Sequence, residues 1–326
     1  MLGRAAEFIR KNLNIKNNPV SRAWHEARER RNQKEYERRT QMTYAEIEAE
    51  ISKRYEAIFG RKLDWDNPKT YNEKIHVSKL YMPTPEKTRL ADKYLVREWI
   101  REKIGGQYLI PLLGVYDSFD EIDFDALPDK FVIKCNHDCG SVTLVKDKNA
   151  LDLEALKHKY DRAMSRNFAY MGFEMHYRDI RPKILIEQYI GDTINEYKFY
   201  CFNGKPCFCF ATFGRRNVDL SISFYDMNWN LLPFTRPDHT AYTGEAPCPQ
   251  KYDDMKNIAL RLCSGFEHVR VDLYIAYGNI YNGEITFTTA NGFGKFMPDE
   301  WDYKFGELWP FDNTVRRKVL AQRTKP

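Results

Sequence analysis

The stretch VRVDLYIAYGNIYNGEITFT, residues 269–288, decides the fold class, because it contains two strand-like runs joined by a tight turn at Gly278. Asp272 and Glu284 each lie six residues from that glycine. A symmetric register therefore places the two carboxylates opposite each other on neighbouring strands. An antiparallel hairpin with a facing acidic pair is the first element that the sequence predicts.

The acidic pair needs a partner, because like charges that face each other across strands destabilise a sheet. A magnesium ion would compensate for them, since it binds carboxylate and phosphate oxygens. On the pleat, Arg270 shares a face with Asp272, and Thr286 shares a face with Glu284. A solvent-facing pair bridged by Arg270 is the alternative, and the spacing alone does not decide between the two.

Outside the hairpin, short apolar runs alternate with turns and two helical patterns. A single helix is predicted from Glu86 to Gly105, with Lys93 and Arg97 four residues apart on one side. The body is therefore predicted to be α+β, with antiparallel hairpins. The predicted strands are 108–115, 130–134, 142–145, 184–190, 197–202, 207–213, 269–275 and 279–288, and the further helices are 152–167 and 251–266.

A lysine closes the apolar run Phe131-Val132-Ile133-Lys134, and a small polar loop with a glycine follows it. This pattern is typical of a phosphate cradle, because the lysine supplies a point charge and the loop supplies backbone N–H groups. The loop also carries Cys135, His137 and Cys139. A zinc site remains an alternative, although the usual CxxC spacing is missing.

Charged residues also border the next two predicted strands. Glu187 follows a buried-looking apolar run, and Glu196 and Lys198 open the following strand, which ends at the hairpin dipeptide Asn203-Gly204. A charged residue at the end of an apolar strand belongs either to a binding site or to the surface rim.

The composition is that of a globular protein, with 43% hydrophobic and 30% charged residues. The net charge of +5 comes partly from the segment 22–39 and does not form a basic stripe with aromatic residues, so nucleic-acid binding is not expected. Seven cysteines without framework spacing predict reduced thiols in the cytoplasm. Residues 1–20 contain no apolar run, so neither a signal peptide nor a membrane span is expected. Residues 21–57 predict charged helices, either a solvated extension or a basic surface for a partner or a membrane.

Taken in order, these segments resemble the ATP-grasp superfamily, and most closely its TupA-like branch from teichuronopeptide and surface-polysaccharide gene clusters. The resemblance runs from about Asn67 to Phe311 and depends on the order of the motifs more than on any single one. The motifs that carry it are NPKTYNEKI (67–75), ADK (91–93) with Val96-Arg97, YLIPLLG (108–114), FVIKCNH (131–137), IEQYI (186–190), EYKF (196–199) and VRVD (269–272).

The resemblance implies two α+β lobes that hold ATP between antiparallel sheets. It implies a charged helical extension at 1–62 and a pre-ATP-grasp region at 63–127. The N-terminal and C-terminal ATP-grasp lobes follow at 128–190 and 191–312, and a basic tail at 313–326. Lys134 and Arg270 are then the expected catalytic residues. Asp272, Glu284 and Thr286 are the expected metal ligands, although a threonine stands where many relatives have asparagine. The residues expected to bind ATP are Lys93, Arg97, Lys134, His137, Gly140, Ser141, Glu187, Gln188, Tyr189, Ile190, Glu196 and Lys198.

The implied chemistry uses ATP and Mg²⁺ to activate a carboxylate as an acyl phosphate, which an amine converts to an amide. The implied partners are a small-molecule amine and a carboxylate-bearing sugar or polysaccharide precursor, with no nucleic acid. Arg215 and Arg216 are candidates for contact with an anionic acceptor. The expected location is the cytoplasm or the inner face of the membrane, with peripheral membrane or biosynthetic-complex association. A sugar kinase, a glycosyltransferase and a non-catalytic ATP-binding module remain alternatives.

Overall fold

The computed structural model describes residues 19–192, 194–214, 220–244 and 246–323. The described residues up to Glu50 belong to one compact unit, and those from Ile51 onward form a second, larger one. The expectations for residues 1–18 and for Arg215 and Arg216 fall outside the described residues. No helix in the described ranges is long and apolar enough to span a membrane.

The helices are connected by several short 3₁₀ turns. They are α1 (Pro19–Thr40), α2 (Tyr44–Phe59), α3 (Tyr71–Tyr81), α4 (Pro85–Ala91), α5 (Val96–Lys103), α6 (Leu153–Met164), α7 (Ala169–Gly172), α8 (Tyr252–Cys263), α9 (Glu300–Leu308) and α10 (Val315–Arg323).

The strands fall into two groups along the chain, separated by the loop after residue 188. They are β1 (Leu112–Tyr116), β2 (Phe131–Cys135), β3 (Thr143–Val145), β4 (Ile184–Gln188), β5 (Asn195–Phe202), β6 (Lys205–Phe213), β7 (Ser221–Asp226), β8 (Thr240–Ala241), β9 (His268–Ala276) and β10 (Asn279–Thr286).

The strands form two separate sheets. The first sheet has the order β1-β4-β2-β3, and its neighbouring strands are antiparallel. The second sheet has the order β10-β9-β5-β6-β7-β8, with antiparallel pairs except β7 and β8, which are parallel. The predicted α+β class with antiparallel hairpins is confirmed.

Two-residue turns close both main hairpins of the second sheet. Asn203 and Gly204 have φ values of 49° and 70°, and Tyr277 and Gly278 have values of 49° and 73°. Left-handed φ at both turn positions matches the right-handed twist of the flanking strands. The hairpin predicted at Asn203-Gly204 is confirmed.

The two faces of the second sheet have different surroundings. Phe199 and Val271 pack with Met255 of α8 in one core cluster. On the opposite face, the ring of Phe208 stacks on that of Phe305 of α9, with ring centroids 4.2 Å apart. Along β5, the residues of this second face are charged at the start of the strand and aromatic at its end, so that this one face carries both a charged cluster and an aromatic core.

Sequence patterns missed a helix and merged two others. Helix α3 lies in a segment where turn residues dominated the pattern, and it begins with a capping box between Thr70 and Glu73. The single helix predicted from Glu86 is wrong. Helix α4 ends at Ala91, and the Asp92 side chain accepts hydrogen bonds from Tyr94 N at 2.7 Å and Leu95 N at 3.2 Å before α5 begins.

Candidate active site

A cleft lies between the two sheets. The first sheet contributes Val132, Lys134 and Glu187, and the second contributes Glu196 and Tyr274, among others. The connecting residues 188–192 form one wall, and the cavity volume is about 210 Å³. Its lining combines aliphatic and aromatic carbon with a few charged groups, which is the usual composition of a small-molecule site.

Lys134 is fixed in the cleft by a carboxylate on the adjacent strand. Its Nζ lies 2.6 Å from Glu187 Oε2, and Arg97 Nη1 lies 3.4 Å from Glu187 Oε1. Arg97 also donates to the carbonyl of Ile110 at 2.7 Å. Burial lowers the pKa of Arg97, while Glu187 beside it acts in the opposite direction. Two cations around one carboxylate leave a net positive charge that can bind an anion such as a phosphate.

A second, smaller cavity, which we call the junction cavity, brings the two sheets' charged residues together. Lys134 and Glu187 line both it and the cleft. Lys93 and Arg97 line it from the helical side, and Glu284 lines it from β10. Lys134 therefore lies close to the acidic hairpin, as the sequence predicts.

Lys93 and Arg97 play different structural parts, because the helix break separates them. Lys93 donates through Nζ to the carbonyl of Asp138 at 2.5 Å and through its backbone N–H to the carbonyl of Asn136 at 3.1 Å. Lys93 thus holds the loop that follows Lys134, whereas Arg97 contacts Glu187 directly.

The loop after Lys134 is fixed by hydrogen bonds of the Ser141 and Tyr160 side chains. Ser141 Oγ accepts from the Cys135 N–H at 2.8 Å and donates to Asp138 Oδ1 at 2.6 Å. Tyr160 of α6 donates to the carbonyls of Ile133 and Ser141. The glycine of this loop, Gly140, has a φ of 139° and open space around it, so the loop backbone can approach a ligand closely.

Not all predicted loop residues face the cleft. His137, Gly140 and Ser141 line a separate cavity against α6, and the His137 ring nitrogens lie 3.3 Å from Asn136 Oδ1 and 3.2 Å from the carbonyl of Ala163. Burial lowers the pKa of His137. The structure does not bring these three residues into the cleft beside Lys134.

The zinc alternative has no support in the described part of the chain, where no group of three or more His, Cys, Asp or Glu side chains is placed to hold a metal. Cys135 is buried in the core of the first sheet, which raises the pKa of its thiol to about 12. Cys139 is exposed.

Three of the residues expected to bind ATP, Gln188, Tyr189 and Ile190, belong to the wall of the cleft. The backbone N–H of Gln188 donates to the carbonyl of Pro111 at 3.0 Å. That donor is already used, so contact with the edge of a base would fall to the remaining backbone groups of residues 188–190.

The second sheet carries a buried charged cluster. Asp272 is 1% exposed. Arg270 Nε and Nη2 donate to its two oxygens at 2.6 and 2.7 Å. Lys198 Nζ lies 3.1 Å from Asp272 Oδ2 and 2.6 Å from Glu196 Oε2. Burial alone would raise the pKa of Asp272, but Arg270 and Lys198 hold it below its ordinary value. The structure does not show the alternative of a solvent-facing pair bridged by Arg270, because Asp272 is buried and Arg270 contacts Asp272 and Thr286 but forms no ion pair with Glu284 among the described residues.

Asp272 and Glu284 are paired across β9 and β10. Thr286 pairs with Arg270, whose Nη2 donates to Thr286 Oγ1 at 3.1 Å. Glu284 is half-buried, and it makes no ion pair with a described side chain. The predicted pairing of the two carboxylates is confirmed.

The three predicted metal ligands fit a hard cation such as magnesium by their chemistry. All three donors are oxygens, and they lie on adjacent strands at paired or neighbouring positions. Glu284 makes no ion pair with a described side chain, whereas Asp272 is already neutralised by Arg270 and Lys198. An ion bound to Asp272 would therefore compete with Arg270 for the carboxylate.

Sequence reasoning missed part of the site. Thr212, Leu220 and Glu196 line both the cleft and a fourth cavity, which we call the basic cavity. Arg236 and His239 also line the basic cavity, and no spacing or motif in the sequence marks them. Only the folded chain shows that they lie near Arg270.

The fold and the site together define a class of protein: two antiparallel sheets enclose a cleft with a lysine on one sheet and paired carboxylates on the other, as expected for an ATP-grasp protein. Residues 73–309 match the family described as TupA-like ATPgrasp. The chain therefore belongs to the TupA-like ATP-grasp family, and the family expected from the sequence is confirmed. No curated protein matches the sequence.

Several solved structures are similar to this chain. The D-alanine-D-alanine ligase from Helicobacter pylori is 15% identical with a TM-score of 0.39, over 68% of this chain and 61% of the ligase. The L-amino acid ligase from Bacillus licheniformis is 13% identical with a TM-score of 0.42, over 76% and 56%. The ATP-grasp ligase PsnB, in complex with its minimal precursor, Mg and ADP, is 12% identical with a TM-score of 0.36, over 63% and 52%. The chain thus spans less than two thirds of each of these proteins.

Proposed function

We propose that this protein is an ATP- and Mg²⁺-dependent ligase that joins a carboxylate to an amine through an acyl phosphate. The observation that carries the proposal is the shared lining of the junction cavity, where Lys134 of the first sheet meets Glu284 of the second. A cationic group and an acidic pair around one space suit a nucleotide whose phosphates are bound by both.

The cleft has an apolar part that suits the base of ATP and a charged part that suits its phosphates. Ile110, Val132 and Leu144 give an apolar surface for a purine base. Lys134 and Arg97, around Glu187, give the positive charge for the phosphates at the end that opens into the junction cavity. In this proposal the regions 128–190 and 191–312 are the two lobes that hold the nucleotide.

The proposed reaction has two balanced steps. A carboxylate oxygen of the substrate attacks the γ phosphorus of ATP, the bond to the β-phosphate oxygen breaks, and ADP leaves. The amine nitrogen then attacks the acyl carbon, inorganic phosphate leaves, and the nitrogen loses a proton. Neither step needs a nucleophile from the protein, so the side chains bind, orient and neutralise charge.

Asp272 and Glu284, with Thr286, would hold magnesium, which neutralises charge on the phosphates when it is bound. Lys134 would neutralise phosphate oxygens from the opposite sheet. Asp272 and Thr286 hold Arg270 in place through Nε and Nη2, so its Nη1 donors would remain for a substrate oxygen on which charge develops. Val142 and Leu144, which follow the loop after Lys134 and line the cleft, would exclude water from the bound nucleotide.

The proposed substrates are a carboxylate-bearing sugar or polysaccharide precursor and a small amine. The TupA-like branch supports this choice through its association with teichuronopeptide and surface-polysaccharide genes. A cytoplasmic protein at the inner face of the membrane, in contact with a biosynthetic complex, fits such a role.

The test incubates the protein with Mg-ATP, D-glucuronate and L-glutamate, followed by phosphate release and mass spectrometry of products. Phosphate release that depends on both carboxylate and amine, together with an amide product, supports the ligase. A stable phosphoester without amine would instead identify a kinase. ATP binding without any turnover across a panel of uronates and amines would contradict the proposal.

A further inference from the structure

The basic cavity lies beside the cleft, and the proposed function assigns no ligand to it. It has a volume of about 250 Å³, and Glu196, Thr212 and Leu220 line both spaces. A ligand in the basic cavity would therefore contact the same strands as a nucleotide in the cleft. It would also lie beside the acidic hairpin, because Arg270, which lines the basic cavity, donates to Asp272 and Thr286.

The charged lining of the basic cavity is predominantly positive. Lys198, Arg236 and Arg270 contribute three cations, His239 adds an imidazole, and Glu196 is the single carboxylate among its described lining residues. Asp272, Glu196 and Asp238 pair with these cations, so the cavity favours an anionic ligand through the N–H donors that the ion pairs leave unused.

The cations stand in two groups. Arg270 and Lys198 form the first group, next to the proposed metal ligands, because both contact Asp272. Arg236 belongs to the segment between β7 and β8, where its Nε donates to Asp238 Oδ1 at 3.0 Å and its Nη2 donates to Oδ2. A ligand that fills the cavity can thus meet one cationic group at each end.

Arg236 keeps donors for a ligand although it is paired. A guanidinium has five N–H groups, and the contacts with Asp238 use one edge of it. The side chain is only 8% exposed, so its position is fixed by packing and not by solvent. Gly294 lies against it, since a Cβ at Gly294 would stand 3.2 Å from the guanidinium carbon of Arg236 and 3.1 Å from the Cβ of Ala290.

One wall of the basic cavity is held rigidly. Ala290 lines it with a left-handed φ of 48°, which is unfavourable for alanine. The residues around it are fixed by buried partners: Thr289 Oγ1 accepts from Tyr71 Oη at 2.8 Å, and Asn291 Oδ1 accepts from Lys79 Nζ at 2.6 Å. A strained backbone that is fixed on both sides is typical of a ligand-binding wall.

We propose that the basic cavity binds the carboxylate-bearing substrate, and that this substrate carries a second anionic group that Arg236 binds. This inference depends on the proposed function, in which the adjoining cleft holds ATP. The reacting carboxylate lies at the end with Arg270 and Lys198, and the second acidic group, a phosphate or a further carboxylate, lies at the end with Arg236 and His239. Arg236 is then a specificity-determining residue.

The test compares two probes that differ by one anionic group, D-glucuronate and D-glucuronate 1-phosphate. Binding is measured by calorimetry on the full chain in the presence of a non-hydrolysable ATP analogue and Mg²⁺. The variants are Arg236→Gln, which removes the cation, and Arg236→Lys, which keeps it. Arg89→Gln, at an exposed arginine that pairs with Glu98 outside the basic cavity, is the control for loss of one positive charge.

We expect wild-type protein and Arg89→Gln to bind the phosphate-bearing probe roughly tenfold more tightly or better. Arg236→Gln should lose this preference while its affinity for the ATP analogue stays unchanged, and Arg236→Lys should keep part of it. Equal binding of the two probes, absence of binding by both, or a preference that survives in Arg236→Gln would overturn the inference. Failure of the proposed ligase is seen separately, as absence of amide in the turnover assay with either probe.

Discussion

Asp272 and Glu284 lie directly opposite each other because Gly283 forms a bulge in β10. The turn at Tyr277 and Gly278 pairs Ala276 with Asn279, and this regular register would place Gly283 opposite Asp272. The register shifts by one residue between positions 282 and 284, and Glu284 takes that place. Bulges occur frequently beside active sites, where they redirect a side chain.

Glu284→Gln should lower turnover at least about a hundredfold, because it removes negative charge that faces the proposed metal and the phosphates. The fold should stay intact, since Glu284 is half-buried and makes no ion pair with any described side chain. Steady-state kinetics and thermal unfolding check both parts. Glu300→Gln, at an exposed helix position, is the control, and wild-type turnover in Glu284→Gln would count against the metal assignment.

Asp272→Asn should behave differently, because Asp272 neutralises Arg270 and Lys198 in a buried place. Removing one partner of a buried ion pair costs about 3–5 kcal/mol, since the remaining charge is left uncompensated. We expect lost turnover together with a clear fall in the free energy of unfolding, measured by chemical denaturation. Unfolding curves that coincide with wild type would show that Asp272 does not stabilise this cluster.

The hairpin shows how far sequence patterns reach. A symmetric hairpin centred on Gly278 predicts the correct acidic pair, but the true turn has two residues and the bulge restores the pairing. Two deviations from the assumed geometry therefore cancel. The sequence could place Lys134 and Glu187 on strands, because each residue follows a short continuous apolar run, which is a local signal.

Long-range contacts explain what the sequence could not predict. Arg236 joins the basic cavity only because the connection after β7 folds back over the sheet, and no local pattern records that path. The break at Asp92 depends on a side chain that accepts two backbone N–H groups, which competes with helix continuation. Helix α3 is stabilised by burial of Tyr71 and Ile75, which outweighs the weak pattern of its sequence.

Lys134→Ala should lower turnover at least about a hundredfold and weaken ATP binding, because the ammonium is the cation that the first sheet contributes to the junction cavity. It also leaves Glu187 with Arg97 as its remaining ion-pair partner. Nucleotide affinity and turnover are measured together. Lys130→Ala, at an exposed lysine just before β2, is the control; equal ATP affinity in both variants would remove Lys134 from the nucleotide site.

Lys79→Met should disturb the wall of the basic cavity, because Lys79 Nζ donates to both the carbonyl and the side chain of Asn291, at 3.1 and 2.6 Å. We expect KM for the carboxylate substrate to rise roughly tenfold while KM for ATP stays within about twofold. Lys79→Arg should restore part of the loss. Equal effects on both KM values would indicate general destabilisation and not positioning.

The same residue predicts a pH effect on stability. Burial lowers the pKa of Lys79 to about 7, well below its unfolded value. Between pH 7 and about 10 the unfolded chain binds more protons at this residue than the native protein, so stability rises with pH in that window. The unfolding free energy of wild type minus that of Lys79→Met should therefore increase from pH 7 to 9. A constant difference would mean that Lys79 stays protonated in the native state.

His176 should make the protein sensitive to acid. Burial lowers its pKa to about 3, and its Nε2 has no hydrogen-bond partner among the described residues. Below about pH 6.5 the unfolded chain binds a proton that the native state excludes, so the stability present at neutral pH is lost as the pH falls, by up to about 1.4 kcal/mol per pH unit. His176→Phe removes this proton uptake and should flatten the loss of stability between pH 6.5 and 5, measured by urea denaturation. His158→Gln, at an exposed position, is the control; parallel pH profiles for wild type and His176→Phe would show that His176 is protonated in the native state.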